Sequence, residues 1–111
     1  MFHQVMRRAA ERKWPVQIHT GLQEGNGNYI SDSDPVLLSN IFMMYKNLRF
    51  DVFHAGFPYS RQLSVLAKNF PNVYPDMFGM HVIGAASARQ ILDEWLDLIP
   101  ANKILAFGGD Y

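Results

Sequence analysis

Two histidines and two aspartates follow short apolar runs in this sequence. His19 ends PVQIH, His54 ends FDVFH, Asp76 ends NVYPD and Asp110 comes shortly after KILAF. Imidazoles and carboxylates bind zinc and similar divalent ions, and water bound to such an ion loses a proton near neutral pH. An aspartate beside that water can accept the proton and return it to a leaving group. The residue types therefore suggest a hydrolytic metal site.

Helical patterns alternate with these apolar runs along the chain. We predict strands over 15–19, 50–54, 72–76 and 103–107. We predict helices over 2–13, from Asp34 and Pro35 to residue 44, over 59–69 and over 85–99. Such alternation is typical of βαβ units and a parallel sheet. In a (β/α)8 barrel, polar residues at the carboxyl ends of the strands would meet in one mouth.

An open doubly wound sheet shares this alternation and is the alternative architecture. It would place a phosphate-binding turn after a strand, and the loop GLQEGNGNY is rich in glycine. That loop lacks the spacing of dinucleotide-binding and phosphate-binding motifs, and no helix begins directly after it. The position of the histidines and aspartates at strand ends therefore favours the barrel.

The composition is that of one folded domain. Of the 111 residues, 49% are apolar and 14% are aromatic, which is enough for a core. Ten basic and ten acidic residues balance, so we expect no nucleic acid and no membrane surface as partner. The chain has no cysteine, which excludes disulfides. We expect a cytoplasmic protein that acts on a small-molecule substrate.

Three stretches of the chain resemble the metal-dependent amidohydrolase superfamily, in particular its amidohydrolase-related, glucuronate-isomerase-like branch. They are PVQIHTG, RFDVFHAGFPYSRQLSVLAKNFPNVYPD and NKILAFGGDY. The resemblance implies an α/β fold, a partial (β/α)8 TIM barrel with four parallel strands and intervening helices. Residues 1–111 would form the C-terminal half of the barrel without its final helix. The His-x-His pair of the family's first strand does not occur in this sequence.

The resemblance also implies roles for three of the strand-end residues. His19 matches the fifth-strand histidine, His54 the sixth-strand histidine and Asp110 the eighth-strand aspartate. All three would bind a divalent metal, zinc or alternatively manganese. Asp110 would also act as the catalytic base, and His54 would bind a second metal or polarise the substrate or the water. Asp76 falls on the seventh strand, where the superfamily has no general ligand.

Further candidates lie after the sixth and seventh strands. Tyr59 and Arg61 open a helix, where Arg61 could hold a substrate carboxylate through two hydrogen bonds. His81 lies in the loop above the expected mouth and could contact substrate. A solvated helix start and an ordinary loop histidine are the alternative interpretations of these residues.

Three functions fit these residues. The first is a fragment of a hydrolase that acts on a small polar or carboxylate-bearing substrate, inactive as the 111-residue chain alone. The second is isomerisation of a sugar acid such as a uronate. The third is a non-catalytic barrel remnant that oligomerises. Half a barrel would expose two strand edges and an apolar inner face, so we expect a homodimer or an aggregate.

Overall fold

Helices and parallel strands alternate in the computed structural model, which describes residues 1–23 and 27–108. The helices are α1 (Phe2–Glu11), α2 (Ser39–Met44), α3 (Ser60–Asn69), α4 (Met80–Ile83) and α5 (Ala85–Leu98). The strands are β1 (Val16–Ile18), β2 (Phe50–Val52) and β3 (Val73–Pro75). Short 3₁₀ turns cover Ile30–Ser33, Pro35–Leu38, His54–Gly56 and Ala101–Lys103. In the described parts of the chain, no helix is long and apolar enough to cross a membrane.

The three strands form one parallel sheet in the order β1-β2-β3. Val16 pairs with Phe50 in the first ladder, and Phe50 pairs with Val73 in the second. Helices separate the strands in sequence, so each strand reaches its neighbour by a crossover. This sequential order agrees with the predicted α/β partial barrel.

The fourth strand, predicted over 103–107, forms a single parallel bridge in the part of the chain that is described. Leu105 donates its N–H to the carbonyl of Pro75 over 3.0 Å and accepts the N–H of Met77 over 2.8 Å. The next bond towards the amino end would require an N–H at residue 75. Proline has no N–H, so the ladder stops there.

The two faces of the sheet differ in polarity. Fully buried side chains on the helix side include Phe42, Phe50, Val52, Leu63, Val73 and Trp95. The opposite face carries Gln17, Asp51 and Tyr74, and the Gln17 amide donates to the Asp51 carboxylate over 3.2 Å. The expectation of an apolar inner face was therefore wrong, because the middle residue of each strand points a polar group to that side.

The segment after β1 enters its helix in two steps. The Asp34 side chain accepts the N–H of Val36 over 2.9 Å, so it caps the turn that starts with Pro35, as predicted. That first turn is a 3₁₀ turn, and α2 begins only at Ser39. The cap and the proline determine where the turn starts, and α2 is consequently short.

Candidate functional site

The side chains of His19 and His54 lie in contact at the carboxyl end of the sheet. Their ring centroids are 4.2 Å apart and their planes are inclined by 51°. His19 follows β1 directly and is exposed, whereas His54 follows β2 by two residues and is buried. Because neighbouring parallel strands end at the same edge, two residues 35 positions apart meet here.

His54 is part of a strained turn. His54 and Ala55 both have positive φ angles, 58° and 54°, in a region that residues other than glycine rarely adopt. The turn is held by the N–H of Ala55, which donates to the main-chain carbonyl of Asp76 over 2.7 Å. Such strain persists only where the surrounding structure compensates it, and it is common at functional sites.

Hydrogen bonds to main-chain carbonyls determine which nitrogen of each ring carries the proton. His54 Nδ1 is 2.7 Å from the carbonyl of Phe78, and His19 Nε2 is 3.2 Å from that of Leu22. A carbonyl only accepts, so these two nitrogens are the donors. In the neutral rings, the lone pair therefore belongs to Nε2 of His54 and to Nδ1 of His19.

The loop that carries the first histidine is bonded to the loop after β2. The Thr20 hydroxyl donates to the carbonyl of Phe53 over 3.0 Å, and the N–H of Leu22 donates to the carbonyl of Phe57 over 2.7 Å. Gly21 lies between them with φ +71°, and a Cβ at this residue would overlap main-chain atoms of the neighbouring loop. The close approach of the two loops thus depends on a glycine.

A pair of acidic side chains lies beside the histidines on the inner face of the sheet. Burial and the nearby charge of Asp51 raise the pKa of Asp76 to about 7. Burial also raises the pKa of Asp51, while hydrogen bonds from Gln17 and Asp76 oppose that rise. Among the described residues no hydrogen-bond donor reaches the buried Oδ1 of Asp51.

The sequence pattern gives no role to this acidic pair. Asp76 ends a strand at which the family has no general ligand, and Asp51 lies within a short apolar run. The available signal was a carboxylate in the middle of the strand FDV. An acidic residue at that place needs a partner on the face it points to.

Two stacked aromatic rings lie against His54. Phe53 and Phe78 stack with centroids 4.7 Å apart, and they lie 5.8 Å and 5.9 Å from His54. They form an apolar wall that can exclude water from one side of the His54 ring. In a separate contact, His81 stacks on Phe107 at 5.0 Å, and Phe107 is 76% exposed.

The remaining candidates from the sequence are not in the histidine cluster. Arg61 forms an ion pair with Glu94 of α5 at 2.7 Å, so a substrate carboxylate would have to displace this contact. Tyr59 is partly buried and its N–H donates to the carbonyl of Gly56 over 2.7 Å, immediately before α3. His81 is exposed and contacts Phe107 rather than the histidine pair.

Asp110, the predicted third ligand and base, lies outside the described residues. Within residues 1–23 and 27–108, no three histidine, aspartate or glutamate side chains are grouped as a metal site. The described residues bring together two imidazoles, a ligand type that agrees with a zinc or manganese site. The metal-binding roles of His19, His54 and Asp110 all remain predictions.

Comparisons with solved structures identify the class of fold. A candidate metal-dependent hydrolase from Lactobacillus casei matches with a TM-score of 0.83 at 22% identity, over 96% of this chain and 29% of that one. An uncharacterised TIM-barrel protein from Bordetella bronchiseptica matches with a TM-score of 0.72 at 22% identity, over 99% of this chain and 37% of that one. The fold is that of part of a TIM barrel.

Sequence comparison identifies the family. The model of the amidohydrolase family matches residues 2–111, and the chain therefore belongs to that family. Protein fluG of Emericella nidulans is 33% identical over 92 residues, which cover 82% of this chain and 10% of fluG. The chain thus spans about a tenth of that relative.

Proposed function

We propose that this chain forms the metal-binding, C-terminal half of the barrel of an amidohydrolase-type hydrolase. The observation that carries this proposal is the contact between His19 and His54 at the carboxyl end of the sheet, with ring centroids 4.2 Å apart. Active sites of parallel barrels are built at this end. The substrate class that we propose is a small polar molecule, in particular one with a carboxylate.

The residues have distinct roles in this proposal. His19, His54 and Asp110 would hold a divalent ion, zinc or alternatively manganese. Such an ion supplies the Lewis acidity that makes water a nucleophile near neutral pH. The Asp110 carboxylate would accept the proton of the attacking water and deliver it to the leaving group. The stacked rings of Phe53 and Phe78 would shield this chemistry from bulk water.

Two alternatives remain predictions. An enzyme of the glucuronate-isomerase-like branch would use the same ligands while a base moves a proton between two carbons of a sugar acid. A non-catalytic remnant would keep the fold without binding metal, and two copies would associate through the strand edges. Tight metal binding would favour either enzyme over the remnant, and product analysis would then separate hydrolysis from isomerisation.

Metal titration tests the proposal. We expect zinc to bind the chain. We expect His19→Ala to weaken this binding by about 100-fold or more, because the substitution removes a side chain that binds the metal directly. We expect a smaller loss for His54→Ala, in keeping with its second, substrate-polarising role. Binding should also weaken as the pH falls, because a metal ligand must be deprotonated. Isothermal titration calorimetry between pH 5.5 and 8 measures each effect.

His3→Ala is the matched control, because His3 lies on α1 and contacts Tyr45 at 2.6 Å. This variant should bind zinc as the native chain does. Equal losses in the three variants would show adventitious binding to surface imidazoles. Equal losses in the His19 and His54 variants alone would contradict the difference in their roles.

A further inference from the structure

One buried residue, Asp76, is hydrogen-bonded to the main chain on both sides of the His54 ring, through its side chain on one side and its main-chain carbonyl on the other. The Oδ1 atom of Asp76 accepts the N–H of Phe78 over 2.8 Å, and the Phe78 carbonyl accepts the His54 Nδ1–H over 2.7 Å. The main-chain carbonyl of Asp76 also accepts the N–H of Ala55, the residue after His54, over 2.7 Å. Asp76 is therefore connected to the backbone beside His54 and to the acceptor of its ring.

We propose that Asp76 is a positioning residue, which fixes the orientation and tautomer of His54 through the main chain of Phe78. The inference rests on the proposed function in one respect, that His54 serves the metal site. Imidazole ligands of metals commonly donate their second N–H to a fixed acceptor, which orients the ring and leaves the other nitrogen for the metal. Here the fixed acceptor is the Phe78 carbonyl.

The surroundings of Phe78 hold its carbonyl in place, so the hydrogen bond from His54 Nδ1 to that carbonyl constrains the imidazole ring. Asp76 is only 5% exposed, so water competes little for its bond to the Phe78 N–H. The Phe78 ring is stacked on Phe53, and Gly108 packs so closely on it that a Cβ there would overlap the ring. The Phe78 carbonyl shares its peptide plane with the N–H of Gly79, which donates to the carbonyl of Gly108 over 3.2 Å. Together with the held N–H and ring of Phe78, this bond determines the direction of the carbonyl. That carbonyl requires the proton of His54 on Nδ1.

Oδ1 of Asp76 accepts this bond whether or not the other oxygen carries a proton. An asparagine at this position retains an acceptor oxygen, whereas an alanine removes it. Asp76→Asn and Asp76→Ala therefore separate the positioning role from the charge of the residue. Asp51→Asn changes the neighbouring carboxylate and leaves the Asp76–Phe78 bond in place.

The test is ¹⁵N NMR of the histidine rings in the full, metal-free 111-residue chain at pH 8. We expect His54 in the native chain to be protonated at Nδ1. In Asp76→Ala the Phe78 carbonyl is no longer held in place, so His54 should lose its hydrogen bond to that carbonyl. The ratio of the Nδ1–H to the Nε2–H form of His54 should then fall by about fivefold, the effect of losing one ordinary hydrogen bond. Asp76→Asn and Asp51→Asn should keep the native ratio.

An unchanged tautomer ratio in a folded Asp76→Ala chain would overturn the proposal, as would equal loss in the asparagine variant. Should the alanine variant not fold, the native chain decides the matter. Scalar couplings from the Phe78 N–H to the Asp76 carboxylate and from the His54 Nδ1–H to the Phe78 carbonyl together support the proposal. The absence of either coupling, or a proton on Nε2, refutes it. No arm of this experiment contains metal, so its failure is distinct from failure of the metal titration.

Discussion

Gly21→Ala is expected to destabilise the chain by about 3 kcal/mol or more and to separate the two histidines. Gly21 has φ +71°, and the added Cβ would overlap the carbonyl of Phe57 and the backbone of Gly56. These are main-chain atoms, which cannot rotate away as the end of a flexible side chain can. The loops after β1 and β2 would have to move apart, and the His19–His54 contact depends on their approach.

Gly27→Ala is the matched control, because Gly27 also has positive φ, +85°, but no atom of the described residues lies within 4 Å of the added Cβ. The free energy of unfolding of this variant should fall by only about 1 kcal/mol, the cost of placing alanine in the left-handed conformation. Urea unfolding gives both free energies, and nuclear Overhauser effects between the histidine rings report their contact. Similar losses in the two variants would show that the loops are not tightly apposed at Gly21.

Asp76→Asn is expected to stabilise the chain above pH 7, by about 1–2 kcal/mol after allowance for screening by solvent. The pKa of Asp76 is raised from 3.8 to about 7, so protonation of this group favours the folded state. The resulting stability is complete below pH 3.8 and is lost as the pH rises to about 7. Asparagine keeps the bond to the Phe78 N–H and carries no charge, so this loss should disappear.

Two further variants separate the causes of that effect. Asp51→Asn removes the like charge beside Asp76, so the pKa of Asp76 should be raised less. Stability should then begin to fall at the same low pH and stop falling at a lower pH than in the native chain. Asp97→Asn changes the net charge equally at an exposed site on α5 and should leave the pH profile unchanged. Thermal unfolding from pH 4 to 8 measures all three. A profile of Asp76→Asn as steep as the native one would contradict a raised pKa at this residue.

The architecture could be predicted because it depends on regular patterns. Apolar runs separated by helical periodicity predict parallel βαβ units, and the strand-end positions of His19 and His54 predict that they lie at the same edge. Pro75 lies inside a predicted strand, and its missing N–H explains why pairing with the last predicted strand stops at Leu105. In each case the property belongs to the residue itself or to its spacing.

Other features depend on contacts that the sequence does not specify. The positive φ of His54 and Ala55 occurs at residues with no intrinsic preference for it, and tertiary bonds stabilise it. The raised pKa of Asp76 depends on its burial and on the Asp51 carboxylate, which the register of the strands brings near. A sequence pattern shows neither burial nor register directly.

The most direct test of the central claim is X-ray absorption at the zinc edge on the zinc-loaded chain. We expect multiple scattering from two imidazoles, with nitrogen at about 2.0–2.1 Å from the metal. The double variant His19→Ala, His54→Ala should lose that signal, and His3→Ala should retain it. A spectrum without imidazole scattering in the native chain, or one unchanged in the double variant, would contradict the assignment of these histidines as the metal site.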